Sequence, residues 1–279
     1  MIDYEAPAKL NLSLLVHSPD SSGMHPIESL VQTIDLLDRL EVSEAEEDTF
    51  QCVGADLDPE ENLVVAAIAA VRERAHVPPL AILLEKTIPV EAGLGGGSAD
   101  AAAALLGAVE VGGLDETLPS EVAPDIGADV ALFLTGGTQL MTGFGEQLEP
   151  QRPLSGFAVA VVVPEFGLAT ADVYRRWDEM DGPEGEAPAR SALPPALRDG
   201  MPIRNDLFPA ALDLEPRLGD FITDVRVAWG SEVLMTGSGA ACFGFFGDVG
   251  EAAEAALTIA GTRAGFGADL RDHGVARVT

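Results

Sequence analysis

The sequence predicts a mixed α/β (α+β) fold, and three observations support this prediction. Short apolar runs typical of strands recur along the chain, and longer runs with apolar residues at helical spacing lie between them. The chain has 279 residues, of which 47% are hydrophobic, and this is enough for one large domain or for two modest ones, each with its own core. A stretch with proline and glycine, 150–156, interrupts these patterns. We therefore expect two domains, at residues 1–152 and 153–279.

The first part of the chain is expected to form strands and one helix. A strand, a kink at Pro7 and a second strand are predicted within residues 2–16, because leucines alternate with other residues after the proline. Asn62 is a suitable N-cap for a helix with apolar residues at helical spacing. The other predicted strands lie at 29–33, 39–43, 49–53 and 80–84.

The second part alternates helices and strands. Its predicted elements are a helix at 119–126, a strand between turns at 136–137 and 142–145, a strand at 157–163, a helix capped by Thr170, a surface loop at 178–200, a helical region from 204, a strand–turn–strand unit at 232–246 and a helix at 251–260. The turn Gly237-Ser238-Gly239 is either a plain hairpin turn or a second set of backbone donors beside a ligand.

Charge excludes one class of function. The chain has 46 acidic residues against 16 Lys and Arg, a net charge of −30, so non-specific binding to nucleic acid is excluded. The acids are spread over the whole chain, which indicates a halophilic host with molar internal salt.

No apolar run is long enough for a membrane span, and the start of the chain does not resemble a secretory signal. With only Cys52 and Cys242, a disulfide framework is not expected either. We expect a cytoplasmic protein without a membrane partner.

The stretch Pro89–Leu106, PVEAGLGGGSADAAAALL, organises the function that we predict. Four glycines lead into an alanine-rich helix, and a flexible loop that enters a helix N-terminus is suited to binding phosphate. Ser98 can cap this helix, or its hydroxyl can contact a phosphate or a metal ion. The spacing of the glycines and Ser98 does not fit a Walker A loop, a dinucleotide-binding fingerprint or a nucleophile elbow. A tight turn before a core helix remains the alternative.

Lys9 and Lys86 are the only lysines of the chain, which makes both candidates for function. Lys86 lies just before the glycine-rich loop. Lys9 lies in an apolar stretch and needs a carboxylate or phosphate partner. Asp129 opens another apolar run, so an ion pair with Lys9 would lower the cost of burying either charge. An exposed Asp129 at the start of a helix and a solvated His25 are the simpler alternatives.

These motifs resemble those of the GHMP kinases over nearly the whole chain. The three family motifs correspond to Pro7–Leu12, Pro89–Ala103 and Met235–Ala241. Within the family, AGLGGGSAD at 92–100, GADVALFLTGG at 127–137 and NDL at 205–207 are similar to the subgroup that phosphorylates a cytidine diphosphate-linked methylerythritol on its 2-hydroxyl. Met24 stands where this subgroup usually has tyrosine, so we expect a looser selectivity for cytidine.

The resemblance implies a two-domain fold, with an N-terminal domain like domain 2 of ribosomal protein S5 and a ferredoxin-like C-terminal domain. It implies a kinase that uses ATP and Mg²⁺ and acts on a small molecule, as a monomer or homodimer. Asp129 matches the catalytic base and Lys9 its partner, and Ser98 would contact the metal. The implied substrate contacts are Asn11, His25, Asp129, Thr170 and Tyr174. The implied nucleotide contacts are Lys86, Pro89, Gly93, Leu94, Gly95, Gly96, Gly97, Ser98 and Ala99.

Two other functions remain open from the sequence. One is a GHMP kinase with another acceptor, of the homoserine or phosphomevalonate type. The other is a member of the fold that binds nucleotide without turnover. Retention of both Lys9 and Asp129 argues against the second.

Overall fold

Two β-sheets organise the chain in a computed structural model, which describes residues 1–58 and 62–278. In this part of the chain, the first sheet has eight strands: β1 (Ile2–Asn11), β2 (Leu15–Val16), β3 (Ile27–Glu44), β4 (Thr49–Val53), β5 (Leu80–Glu85), β6 (Thr138–Thr142), β7 (Gln147–Pro150) and β12 (Ala276–Arg277). The second sheet has four: β8 (Ala158–Pro164), β9 (Leu234–Met235), β10 (Cys242–Phe246) and β11 (Thr262–Ala268). Strand β4 pairs in parallel with β5, whereas β1 and β3 are antiparallel.

Strand β3 contains both of the strands predicted at 29–33 and 39–43. Its register against β1 pairs Pro7 with Leu37 but Ala8 with Ile34, so the chain bulges between these two pairs. The prediction of two separate strands was wrong because the connecting residues include no glycine or proline that would break a strand. The kink expected at Pro7 is the site of this bulge.

Helices of the first part pack beside the first sheet. They are α1 (Leu63–Arg72), α2 (Gly96–Gly112), α3 (Leu118–Ile126) and α4 (Val130–Thr135). Helix α1 has the expected N-cap, because the side chain of Asn62 accepts a hydrogen bond from the N–H of Val64. Helix α2 lies very close to the sheet: a Cβ added to Gly107 would be 2.7 Å from Cγ2 of Val42. The buried alanines of its first turns allow the same close approach, which fixes the position of its N-terminus.

The second sheet separates two cores. The side chains of Ala158, Ala160 and Val162 pack with the helices of the second part, whereas those of Val159, Val161 and Val163 join a core that includes residues of β1 and β3. The helices are α5 (Thr170–Glu179), α6 (Phe208–Leu214), α7 (Arg217–Trp229) and α8 (Val249–Leu257).

Two predictions for this second part need correction. The N-cap of α5 is Ala169 rather than Thr170, which is the first helical residue. The segment 178–200 is mainly exposed, as predicted for a surface loop, but it contains two short 3₁₀ helices, Arg190–Ala192 and Pro195–Leu197. Leu193 and Leu197 are buried in the core behind β8, so apolar contacts hold this segment to the protein.

The chain passes from the first sheet to the second between β7 and β8. The last strand then returns to the first sheet, where Tyr4 pairs with Arg277. The division at 152/153 therefore stays a prediction. No helix in residues 1–58 and 62–278 has the length and apolar character needed to cross a bilayer.

The acidic surface predicts a fold that depends on salt. We expect the Tm to rise by roughly 10 °C or more between low and molar KCl, because the ions screen repulsion among surface carboxylates. Thermal unfolding followed by circular dichroism at the two concentrations measures this effect. A non-ionic osmolyte at matching osmolality serves as the control. An equal Tm in low and molar KCl would contradict the prediction of a halophilic protein.

Candidate active site

The glycine-rich loop enters the first turn of α2, as predicted. Gly95 has a φ of +75° and immediately precedes the helix, which begins at Gly96. Because the first N–H groups of a helix have no intrahelical acceptor, those of Gly96, Gly97 and Ser98 are available to an anion. A cavity of about 680 Å³ lies against the loop. All residues predicted to contact nucleotide line this cavity except Ala99.

Ala99 has a different role from the one predicted. Its side chain is fully buried in the core of α2, and its N–H donates to the carbonyl of Gly95 at 3.0 Å. Neither this side chain nor this N–H is free to contact a nucleotide, so the structure gives the predicted contact of Ala99 no support. The turn of backbone that can face a phosphate ends at Ser98.

Lys86 lines the cavity, but its ammonium is held by the protein. The side chain is 3% exposed, and Nζ donates to Oδ2 of Asp38 at 2.5 Å and to Oδ2 of Asp100 at 2.7 Å. Burial disfavours the charged form of Lys86, but the two carboxylates outweigh it and raise its pKa. Burial also raises the pKa of Asp100 to about 7, against the opposing effect of Lys86. The predicted direct contact between this ammonium and nucleotide does not fit such an arrangement.

A second cavity, of about 300 Å³, lies beside the first, and Gly93, Gly95 and Thr170 line both. Here the expected ion pair is present: Nζ of Lys9 lies 3.6 Å from Oδ2 of Asp129. The Lys9 side chain is 8% exposed and that of Asp129 is 32% exposed. The cation is thus buried behind a carboxylate that can still reach a molecule in the cavity.

Lys9 is held in place by its neighbours on several sides. Its backbone N–H donates to the carbonyl of Leu94 at 2.9 Å, which ties β1 to the glycine-rich loop. Its ammonium also donates to Oδ1 of Asn11, and Nδ2 of Asn11 donates to Oγ of Ser29 at 2.8 Å. Asn11 lines the second cavity, as expected for a substrate contact. Because both ends of its amide already have partners, we assign Asn11 mainly to positioning Lys9.

The turn Gly237-Ser238-Gly239 is a hairpin turn, and its role as a second set of backbone donors beside a ligand stays a prediction. It connects the antiparallel pair β9 and β10, as a hairpin turn does, and Gly237 and Ser238 line the second cavity. It also touches the glycine-rich loop, since a Cβ added to Gly93 would be 2.9 Å from the carbonyl oxygen of Thr236. The hydroxyl of Thr170 lies 2.8 Å from that of Ser238, between the two cavities.

An aromatic group extends the second cavity away from the loop. Tyr174 lines the cavity, and its ring centroid is 5.3 Å from that of His25. Nε2 of His25 lies 2.8 Å from Oδ1 of Asp178, and the ring of Trp177 meets His25 edge-on. Burial and then the charge of Asp129 raise the pKa of Tyr174 to about 12, so its hydroxyl stays neutral. His25 itself does not line this cavity, and its predicted contact with the substrate stays a prediction.

Comparison with known proteins agrees with this geometry. The family described as "GHMP kinases N terminal domain" matches residues 62–137. Curated 4-diphosphocytidyl-2-C-methyl-D-erythritol kinases from Parvibaculum lavamentivorans and Caulobacter sp. (strain K31) are each 38% identical to this chain. The first match covers 94% of both chains, and the second covers 87% of this chain and 88% of its relative. The chain belongs to the GHMP kinase family.

A solved structure supports the same assignment at the level of the fold. A crystal structure of 4-(cytidine 5'-diphospho)-2C-methyl-D-erythritol kinase superposes with a TM-score of 0.79 and 33% identity. The match covers 96% of this chain and 98% of the other. The predicted GHMP kinase fold is thus confirmed, and the protein is a small-molecule kinase.

Among the residues that the structure describes, this GHMP kinase has no cluster of three His, Cys, Asp or Glu side chains that could hold a metal ion. A magnesium ion fits here in another way, because Mg²⁺ in kinases commonly keeps several waters and is bound through substrate phosphates and one or two protein groups. Ser98 lies in the first turn of α2 and lines the cavity beside the loop. Its hydroxyl is the protein group that would hold the ion.

Sequence reasoning missed several residues of this site. Asp38 was not considered, although a carboxylate between two apolar strand segments is unusual and could have been noticed. Ser238 was considered only as part of a turn and Asp178 only as the start of a loop. Their partners, Thr170 and His25, are far away in the sequence, so no local pattern indicates these contacts.

Proposed function

We propose that this kinase transfers the γ-phosphoryl group of ATP to the 2-hydroxyl of 4-diphosphocytidyl-2-C-methyl-D-erythritol, in non-mevalonate isoprenoid biosynthesis. The observation that carries the proposal is the Lys9–Asp129 pair at 3.6 Å, in a cavity that shares three residues with the cavity of the glycine-rich loop. The names of the relatives and of the solved structure supply the acceptor. A site with room for nucleotide on one side and acceptor on the other is what this reaction needs.

The loop alone cannot account for catalysis. A helix N-terminus stabilises an anion by at most ~2 kcal/mol, whereas enzymes typically lower barriers by roughly 8–23 kcal/mol. The remainder has to come from placement of the hydroxyl and from neutralisation of charge on the transferred group. A magnesium ion, which Ser98 would help to hold, would supply part of that neutralisation.

The proposed step uses Asp129 as the base. As the acceptor oxygen bonds to the γ-phosphorus, its proton passes to the carboxylate of Asp129, and the bond to the bridging oxygen breaks with its electron pair leaving on ADP. Lys9 orients the carboxylate and offsets negative charge where the two cavities meet. Thr170 and Ser238 lie at the same junction, where their hydroxyls can donate to phosphate oxygens.

Tyr174 is proposed to stack on the cytosine of the acceptor. We expect Tyr174→Ala to raise the KM for the acceptor by about 10- to 100-fold, because stacking of a base on an aromatic ring contributes about 1–3 kcal/mol. The KM for ATP should change by less than about twofold. Tyr174→Phe keeps the ring and should leave both constants near those of the wild type. An unchanged acceptor KM in the alanine variant would contradict this role.

A coupled assay tests the function directly. ADP release is measured with ATP and the cytidylylated methylerythritol, and with homoserine and phosphomevalonate in its place. The proposal predicts turnover with the first acceptor and little with the others. Turnover with homoserine or phosphomevalonate alone would instead support the alternative kinases, and nucleotide binding without turnover on any of them would support a silent member of the fold.

We also propose a cytoplasmic location, where ATP is supplied and where Cys52 and Cys242 would stay in their unpaired form.

A further inference from the structure

Three buried charges lie under the glycine-rich loop, and we call Asp38, Lys86 and Asp100 the loop anchor. Their side chains are 0%, 3% and 3% exposed. They come from β3, from the residue after β5 and from the first helical turns of α2. A Cβ added to Gly96, the first residue of α2, would be 3.1 Å from Nζ of Lys86. The ammonium is thus next to the backbone that lines the nucleotide cavity.

Hydrogen bonds of the loop anchor reach both ends of the loop. Oδ1 of Asp38 accepts the N–H groups of Thr87 and Ile88, at 2.5 and 2.8 Å, where the chain leaves β5. Oδ2 of the same carboxylate accepts from Lys86, and Lys86 donates in turn to Asp100 in α2. One continuous set of contacts therefore joins the segment before the loop to the helix after it.

Stability is a weak explanation for such a cluster. Burying charges is costly, and apolar residues of similar volume often replace buried ion pairs at no loss of stability. The loop anchor also has one cation for two carboxylates, and Oδ1 of Asp100 has no hydrogen-bond partner in the described part of the chain. A direct contact of Lys86 with nucleotide is not a better explanation, because two of its three donors are already used and the side chain is 3% exposed.

We infer that the loop anchor holds the N–H groups of the glycine-rich loop in the position that nucleotide phosphates require, so that Asp38, Lys86 and Asp100 are positioning residues. This inference rests on the proposed function, since it takes the first cavity as the nucleotide site. It gives a role to Lys86, one of the two lysines of the chain, which lies beneath the loop and does not line the second cavity. The same loop also lies against the side chain of Lys9, at Gly95.

Two variants test the loop anchor. Asp100→Asn keeps the shape and removes the charge, and Lys86→Met removes the cation. We expect each to raise the Kd for ATP by about tenfold or more, because the loss of one hydrogen bond to a charged phosphate lowers affinity by about that factor. Binding is measured by titration with ATP alone, and the KM for the acceptor should change by less than about twofold. Thermal unfolding of each variant shows whether it is folded.

The chain offers a matched control in Arg271. This cation is also buried, with 7% of its side chain exposed, and also holds two carboxylates, Glu5 at 2.9 Å and Asp35 at 2.7 Å. It lines neither cavity. Arg271→Met should therefore lower the Tm without changing the Kd for ATP by more than about twofold.

Each outcome decides the inference. Folded Lys86→Met and Asp100→Asn proteins that bind ATP like the wild type would overturn it, as would an equal loss of ATP binding in Arg271→Met. If Lys86→Met does not fold, Asp100→Asn decides alone. The proposed function and the inference can fail separately. If the wild type binds ATP and the loop-anchor variants bind it more weakly, the inference stands. If the wild type then transfers no phosphoryl group to the cytidylylated acceptor, the proposed function alone fails.

Discussion

Replacing Asp129 with asparagine is expected to lower kcat by about 1,000-fold, within the range of roughly 100- to 10,000-fold that a positioned general base contributes. Asparagine has nearly the same shape and keeps an oxygen facing the ammonium of Lys9, but its amide cannot take a proton from the acceptor hydroxyl. The Kd for ATP should stay within about twofold of the wild type, because Asp129 lines the acceptor cavity and not the cavity of the loop.

Single-turnover transfer with saturating ATP and acceptor measures this effect. Asp125→Asn is a suitable control, because Asp125 lies close in sequence, is 58% exposed and pairs with Arg74 away from both cavities. It should keep the activity of the wild type. Full activity of the Asp129 variant would refute its assignment as the base and leave Lys9 as the main charged group of the reaction.

The expected partnership of Lys9 and Asp129 could be predicted because charge balance is a strong constraint. A lysine and an aspartate each stand in apolar runs, in a chain that has two lysines. A buried charge needs a partner, so the two were expected to meet although 120 residues separate them. The structure places them 3.6 Å apart. Composition thus predicted a tertiary contact that no local pattern contains.

The position of the anion-binding loop could also be predicted, because its signal is local. Glycines followed by alanines predict a loop that enters a helix, and α2 begins at Gly96 as this pattern requires. The pattern does not predict which of these residues face the cavity and which face the core. Ala99 and Ser98 are adjacent in the sequence, yet only Ser98 lines the cavity, because helix geometry turns the side chain and the N–H of Ala99 into the protein.

Strand β11 was not predicted, and its glycines explain why. Strand β11 reads TRAGFGA, in which Gly265 and Gly267 weaken the expected strand pattern. In the structure, a Cβ added to Gly267 would be 2.4 Å from the backbone nitrogen of Ala253. Helix α8 therefore packs directly on the backbone of the strand. Gly267, which in the sequence indicates an interrupted strand, is the residue that lets α8 approach, and only the tertiary structure shows this.

The same kind of close contact makes Gly95 the most sensitive position of the loop. Its φ of +75° is disfavoured for any residue with a Cβ, at a cost of roughly 1–2 kcal/mol. An added Cβ would also be 2.7 Å from Cζ of Phe133 and 2.9 Å from Cγ of Lys9. Phe133 is fully buried and cannot move away easily. Gly95→Ala should therefore displace the glycine-rich loop and Lys9 together.

We expect Gly95→Ala to lower kcat/KM by about 100-fold or more, since both phosphate binding and the Lys9–Asp129 pair depend on this position. Gly113→Ala is the matched control at the other end of α2, because Gly113 has a φ of +59° but nothing within 4 Å of an added Cβ. The control should lose stability through its backbone alone and keep its kinetics. Steady-state kinetics and Tm are measured for both variants. If the two alanine variants behave alike, the contact of Gly95 with Phe133 and Lys9 has no bearing on catalysis, and the loop and the ion pair work independently.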